Sequence, residues 1–113
     1  MKIFSRSEFM KLPEGTIFSS GERFAFSYLH IKGETWGVDF LQSSLIDIES
    51  FSCQENFDRL DEMDQKGVSY PIRTSYEREG LFDENMVYLV YEKEDLKYMI
   101  EQMEKALEIT ETR

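Results

Sequence analysis

The sequence contains a single cysteine, Cys53, and a single histidine, His30, and this scarcity narrows the chemistry of the chain. One cysteine excludes an intrachain disulfide bond, as is usual in a reducing cytoplasm. A structural zinc site needs four Cys or His ligands, and the chain supplies two. The two side chains would form a catalytic dyad only if the fold joined them, and we expect Cys53 to pack in a core. We therefore predict no metal site, no cofactor and no catalytic residue.

Long apolar runs are also missing. No stretch approaches the ~18 consecutive apolar residues of a transmembrane helix, and the N-terminal MKIFSRSEFMKL lacks the apolar core of a signal peptide. With only two prolines and six glycines, the chain is not of low complexity. These absences predict a single cytoplasmic domain over residues 1–113 that does not bind membranes.

Positive charge is scarce, with 13 basic residues against 23 acidic ones and a net charge of −10. A protein of this sign repels phosphate backbones and anionic lipids, so we expect no direct binding of nucleic acid. The charge favours a partner with a basic surface. Two alternatives stay open, namely that the acidity only maintains solubility, or that carboxylates along helices imitate a nucleic acid.

The strongest pattern that is present is an apolar strand followed directly by an amphipathic helix. Residues 86–91 form an unbroken run rich in β-branched and aromatic side chains. The next apolar residues recur every three or four positions and share one helical face: Leu96, Met99, Ile100, Met103, Ala106, Leu107 and Thr110. The pattern predicts a helix over 94–109 whose apolar face covers the strand.

The segment from residue 16 to residue 49 predicts an antiparallel meander with tight turns at Gly21 and Gly33. The expected strands are 16–19, 23–32, 35–42 and 45–49. Alternation in the second strand places four residues on one face, which we expect to be buried: Phe24, Phe26, Tyr28 and His30.

The N-terminal residues 1–5 fit either a short edge strand or an ordered tail. Ser7 is suited to cap a short helix that runs to Leu12 and turns Phe9 inward.

A second helix is predicted over 53–66, because Ser52 and Glu55 have the spacing of a capping box and Gly67 can end the helix. Its apolar stripe begins with Cys53, Phe57 and Leu60. Its acidic surface consists of Asp58, Asp61, Glu62 and Asp64. The whole chain therefore predicts an α+β fold, in which an antiparallel four- to five-stranded meander is covered by two helices. Closure of the sheet into a small barrel stays open.

A local break in the acidic trend marks a candidate binding loop. Residues 65–76 contain no acid, and tyrosine and arginine side chains in an irregular loop are typical of binding sites. An aromatic face with an arginine fork suits an anionic nucleotide. The predicted ligand- or partner-binding residues are Tyr70, Arg73, Tyr76 and Arg78. An ordinary connecting loop that packs its two tyrosines is the alternative.

Three stretches, LPEGTIF (12–18), IKGETWG (31–37) and LFDENMVYLVYEKEDL (81–96), resemble small accessory proteins encoded by bacteriophages. The resemblance implies a protein of the host bacterial cytoplasm. Phage proteins of this size are frequently inhibitors of a host or defence protein, or sponges for a nucleotide signal. The resemblance carries no functional residues with it.

The leading hypothesis is a non-catalytic phage-encoded protein that inhibits a bacterial protein through its acidic surface. The first alternative is a sponge for a small anionic nucleotide, and the second is a small hydrolase. Homodimerisation stays open.

Overall fold

The computed structural model describes residues 1–22, 25–48 and 52–112. The elements in chain order are β1 (Lys2–Ser5), α1 (Arg6–Phe9), β2 (Ile17–Glu22), β3 (Ala25–Phe26), β4 (His30–Trp36), β5 (Asp39–Ser44), α2 (Cys53–Lys66), β6 (Glu77–Arg78), β7 (Val87–Val90) and α3 (Lys93–Glu111). The described strands form one antiparallel sheet in the order β1-β7-β2-β4-β5-β6, and β3 pairs with β2 beside this path. The α+β class and the antiparallel sheet are confirmed.

Strand β7 lies inside the sheet, between β1 and β2. Its Leu89 is opposite Ile3 on one side and Ser19 on the other, so the N-terminal residues form an edge strand. Tyr88 and Val90 of β7 are buried, as the apolar run predicts. Because β7 enters between β1 and β2, the strand order is not a simple meander.

The core is a small aromatic cluster centred on Phe9. The Phe9 ring stacks on Tyr88 with centroids 4.3 Å apart and contacts Phe18 at 4.6 Å. Phe40 meets Phe9 edge-on at 5.2 Å. Burial of Phe9 is confirmed, but Ser5 rather than Ser7 caps the short helix.

Within the described residues, the predicted turns and strand limits between residues 20 and 48 are wrong. Strand β4 continues through Gly33, and the turn lies at Gly37, which has a φ of 61°. Gly21 lies inside β2 rather than in a turn. The reason is tertiary: Phe18 and Phe40 enter the core, and burial of these rings sets the register.

The shifted register changes which aromatic residues are buried. Tyr28 is 84% exposed, whereas Phe26 and His30 are half-buried. Phe24 lies outside the described residues, as does the end of the predicted strand 45–49. Within that strand, Ile48 forms an isolated bridge with Ile72.

The two long helices have nearly the predicted limits. The Ser52 hydroxyl accepts a hydrogen bond from the Glu55 backbone N–H at 3.1 Å, and Gly67 ends α2 with a φ of 66°. At the start of α3, Asp95 accepts from the backbone N–H of Glu92 at 2.8 Å. Local capping chemistry specifies these ends.

The expectation that these helices cover the sheet is wrong, because neither α2 nor α3 contains a buried residue in the described chain. The core over Phe18 and Tyr88 is closed by Phe9 of α1 instead. The radius of gyration is 16.3 Å, against about 13 Å for a compact chain of this length. The long helices therefore project from the sheet, and none of the helices in the described ranges has the length and hydropathy required to cross a membrane.

Candidate binding surfaces

A buried polar cluster joins α1 to the middle of the sheet. The Arg6 guanidinium donates to Glu79 Oε2 at 2.5 Å, to the Tyr88 hydroxyl at 2.9 Å and to the Val38 carbonyl at 3.0 Å. Arg6 and Glu79 are each only 4% exposed. One Glu79 oxygen, Oε1, is buried without a hydrogen-bond partner among the described residues. The residues of this Arg6 cluster are far apart in the chain, and no local pattern predicts it.

Asp39 links the Arg6 cluster to Arg78. Its Oδ1 accepts backbone hydrogen bonds from Phe40 at 2.9 Å and Gly80 at 3.1 Å, and Arg78 Nε donates to Oδ2 at 2.9 Å. Burial opposes ionisation of Asp39, yet these hydrogen bonds hold its pKa below the ordinary value of 3.8. Arg78, predicted as a binding residue, therefore also serves the fold.

A cavity of about 370 Å³ lies between β4 and the segment before β6. Its lining residues are Glu14, Gly15, Lys32, Gly33, Glu34, Leu41 and Tyr76. The buried Lys32 ammonium donates to Thr35 Oγ1 at 2.6 Å and to the Gly33 carbonyl at 3.3 Å. Burial lowers the pKa of Lys32, and Glu14 offsets part of this effect. Tyr76, one of the predicted binding residues, thus lines this cavity.

Tyr70 lies against α2, away from this cavity. Its hydroxyl donates to Glu62 Oε2 at 2.6 Å, and the Arg59 guanidinium lies 4.9 Å from the ring centroid. Arg73 donates its backbone N–H to the Asp47 carbonyl at 2.9 Å. The four predicted loop residues therefore have different surroundings, with Tyr70 bracing the helix.

Helix α2 exposes both its apolar stripe and most of its acidic surface. Phe57 is 68% exposed, and Leu60 and Met63 are exposed beside it. Among the predicted acidic residues, Glu62 is occupied by Tyr70, whereas Asp58, Asp61 and Asp64 are exposed. We call these three acids together with Phe57, Leu60 and Met63 the α2 face.

Cys53 is exposed, which contradicts its expected packing in a core. The reason is that α2 does not cover the sheet. Cys53 lines a cavity of about 340 Å³ together with Asp47, Ser52, Asn56, Phe57, Ser75 and Glu77. His30 lies elsewhere, with its ring centroid 5.5 Å from Phe18 and its Nδ1 2.9 Å from the Tyr28 carbonyl oxygen. In the part of the chain that the structure describes, no group of three His, Cys, Asp or Glu side chains is arranged to hold a metal ion.

Helix α3 exposes most of its apolar stripe as well. Ile100, Met103 and Leu107 are each more than half exposed, whereas Leu96 and Met99 are partly covered near the sheet. The N-terminal ammonium of Met1 lies 2.8 Å from Asp95 and ties β1 to the start of the helix. The rest of α3 presents an apolar surface to solvent.

Comparison of the chain with protein-family models, with curated proteins and with solved structures finds no match.

Proposed function

We propose that the protein is a non-catalytic inhibitor that binds a bacterial protein by inserting the α2 face into an apolar groove with a basic rim. The observation that carries this proposal is the exposure of Phe57 and Leu60 on a helix whose neighbouring acids are also exposed. A helix of this kind serves as a ligand for a groove, with anchors at helical spacing.

The apolar side chains supply the binding energy in this proposal. Cys53, Phe57 and Leu60 follow the i, i+4, i+7 spacing of a helix that enters a groove. Full burial of a Leu or Phe side chain is worth about 1.5–3 kcal/mol. A partner groove that covers Phe57 and Leu60 therefore gains more than an exposed salt bridge, at ~1 kcal/mol or less, provides.

The carboxylates orient α2 on its partner and raise the association rate. Helical geometry places Asp61 and Asp64 beside Phe57, and Asp58 farther round on the same side. None of these three carboxylates forms an ion pair among the described residues. Asp58 and Asp64 accept hydrogen bonds from neutral glutamine amides, which leaves their charge uncompensated. Complementary charge accelerates encounter with a basic partner more than it strengthens the complex.

The helix is held in its binding conformation before it meets a partner. Ser52 caps the start, Gly67 ends the last turn, and Tyr70 braces the side away from the apolar stripe through Arg59 and Glu62. A pre-organised helix avoids the ordering cost that a disordered segment would incur on binding. The resemblance to phage accessory proteins supports a target in the bacterial cytoplasm.

The test is a pull-down from nuclease-treated bacterial lysate with the tagged wild type and with Phe57→Ala/Leu60→Ala. Tyr28→Ala is the matched control, since Tyr28 is a large and exposed side chain between β3 and β4 rather than on α2. We expect the wild type and Tyr28→Ala to retain one bacterial protein in near-stoichiometric amount, and the double variant to lose it. The wild type should also inhibit the activity of that bacterial protein. Retention by the double variant, or no retained protein at all, would overturn the proposal.

The second candidate function is capture of a small anionic ligand in the Lys32 cavity. The observation in its favour is that the buried Lys32 and the aromatic Tyr76 both line a space of ligand size. Glu14 and Glu34 also line this cavity and disfavour a ligand with several phosphates. A thermal-shift screen of nucleotides tests this second candidate. A nucleotide that binds the cavity should raise the melting temperature of the wild type, and it should not raise that of Tyr76→Ala.

A further inference from the structure

The apolar residues of α3 have the spacing of a two-stranded coiled coil. Leu96, Met103 and Thr110 are seven residues apart, and Met99 and Ala106 occupy the second seam position between them. Ile100 and Leu107 widen the seam on one side. Beyond its first turns, α3 presents these side chains to solvent and packs against no other element among the described residues.

A second α3 offers enough apolar area to cover this seam. Ile100, Met103 and Leu107 are each more than half exposed and can each bury on the order of 100 Å², and the partly covered Leu96 and Met99 about half as much. Two copies would therefore remove about 800 Å² from water, which is below the ~1,000 Å² of a stable specific interface and in the range of a weak one. The area predicts a dimer that dissociates on dilution, rather than an obligate one.

The charges along the borders of the stripe select the orientation of the second helix. Helical geometry places Lys93 and Lys97 on one border in the N-terminal half, and Glu104 and Glu111 on the same border in the C-terminal half. The other border carries Gln102 and the uncharged Ile109 beyond Asp95. In an antiparallel pair, like borders face each other, so the lysines of one copy meet the glutamates of its partner.

A parallel pair lacks this complementarity. There, each charged border would face the largely neutral border of the second helix, and the acidic C-terminal halves would lie side by side. Antiparallel helices also oppose their macrodipoles favourably. We propose that the protein forms an antiparallel homodimer through the α3 stripe, with a second copy of this chain as the occupant.

Sedimentation velocity and light scattering of the purified protein test the dimer, from about 1 to about 200 µM in the absence of any partner. We expect the mass to rise with concentration from 13.4 kDa toward twice that value. Met103→Glu and Leu107→Glu should keep the protein monomeric throughout this range. Tyr98→Glu is the matched control, because Tyr98 is 64% exposed and helical geometry places it on the side of α3 opposite the stripe, and this variant should dimerise like the wild type.

All of these positions are exposed, so the variants should fold, and circular dichroism verifies that they do. A wild type that stays monomeric at every concentration would overturn the dimer. A dimer that survives Leu107→Glu but is lost in Leu60→Glu would assign the contact to α2 and overturn the α3 seam. Neither result bears on partner binding, which the pull-down tests separately.

Charge reversal tests the antiparallel orientation. Glu104→Lys/Glu111→Lys places lysines against Lys93 and Lys97 of the second copy, so we expect at least a tenfold weaker dimer at low salt. Adding Lys93→Glu/Lys97→Glu to this variant restores opposite charges and should restore most of the affinity. A reversal that has no effect, or that the second pair fails to rescue, would contradict antiparallel pairing.

Discussion

Arg6 and Arg78 both form ion pairs with Asp39, but the two arginine side chains are buried to very different degrees. Arg6 is buried with Glu79 beneath the aromatic core, whereas the Arg78 side chain is 59% exposed. Arg6→Met would leave the buried carboxylate of Glu79 without its cation, whereas Asp39 would retain Arg78. We therefore expect the substitution to lower the free energy of unfolding by about 3–5 kcal/mol, measured by chemical denaturation.

Arg78→Met is the control at the other end of Asp39. Asp39 would keep its two backbone hydrogen bonds and the nearby Arg6, so we expect a loss of only about 1 kcal/mol. If both substitutions lowered the free energy of unfolding equally, the burial of the Arg6–Glu79 pair would not determine how much the pair stabilises the fold.

Tyr88 gives the fold a specific weakness at alkaline pH. Burial raises the pKa of its phenol to about 12, against 10.0 in an exposed tyrosine. Between these two values the unfolded chain ionises first, so stability is complete below pH 10 and declines as the pH rises toward 12. Two pKa units correspond to about 2.7 kcal/mol.

Tyr88→Phe should remove this component of the pH dependence. We expect its unfolding free energy to fall less between pH 9 and 12 than that of the wild type, by about 2–3 kcal/mol. The other titrating groups are common to both proteins and cancel in the difference. Identical pH profiles for the two proteins would show that Tyr88 is not protected from ionisation.

At the scale of the elements, Gly21 shows that a position can require glycine because a neighbouring strand lies close, and not only because the backbone is left-handed. It has no positive φ, but a Cβ atom there would overlap the carbonyl oxygen of Ala25 in the paired strand β3. The conflict is with backbone, which cannot rotate away. We expect Gly21→Ala to lower the free energy of unfolding by about 3 kcal/mol, measured by urea denaturation.

Gly37→Ala separates close approach from backbone conformation. Gly37 has a φ of 61°, but no atom lies within 4 Å of a Cβ built on it. Its substitution should cost about 1 kcal/mol, from left-handed strain alone. A larger loss at Gly37 than at Gly21 would contradict the close contact between β2 and β3.

Helix ends and the buried strand were predictable because their signals are local. Ser52 and Gly67 specify the ends of α2 within a few residues, and the run at 86–91 identifies β7. The turn between β4 and β5 was not predictable in this way. Gly33 and Gly37 both suit a turn, and the choice depends on burial of Phe40, which sequence spacing alone does not show.

The same distinction applies to the binding surfaces. The amphipathic patterns of α2 and α3 were predictable, but their expected burial against the sheet was wrong, because the short α1 closes the core with Phe9. The Arg6 cluster and the cavity lined by Lys32 had no sequence signal, since their members come from segments that are far apart in the chain. Periodicity shows that a helix has an apolar face, but it does not show what covers that face.

At the scale of the whole molecule, the net charge of −10 opposes the compact state through self-repulsion. Raising the salt concentration from about 10 mM to about 1 M shortens the Debye length from roughly 30 Å to roughly 3 Å. The buried Arg6 pair is screened little by this change, because its groups are only 4% exposed. We therefore expect the melting temperature to rise by a few degrees, measured by differential scanning calorimetry.

The same increase in salt should weaken the proposed complex, because it screens the attraction between the exposed acids of α2 and a basic partner. We expect the association rate to fall by tenfold or more while the dissociation rate, which the Phe57 and Leu60 contacts control, changes little. Measuring both rates by surface plasmon resonance beside the melting temperature separates screening from unfolding. If the melting temperature falls together with binding, the lost binding results from unfolding of the protein. If the association rate does not change with salt, Asp58, Asp61 and Asp64 do not steer the partner electrostatically.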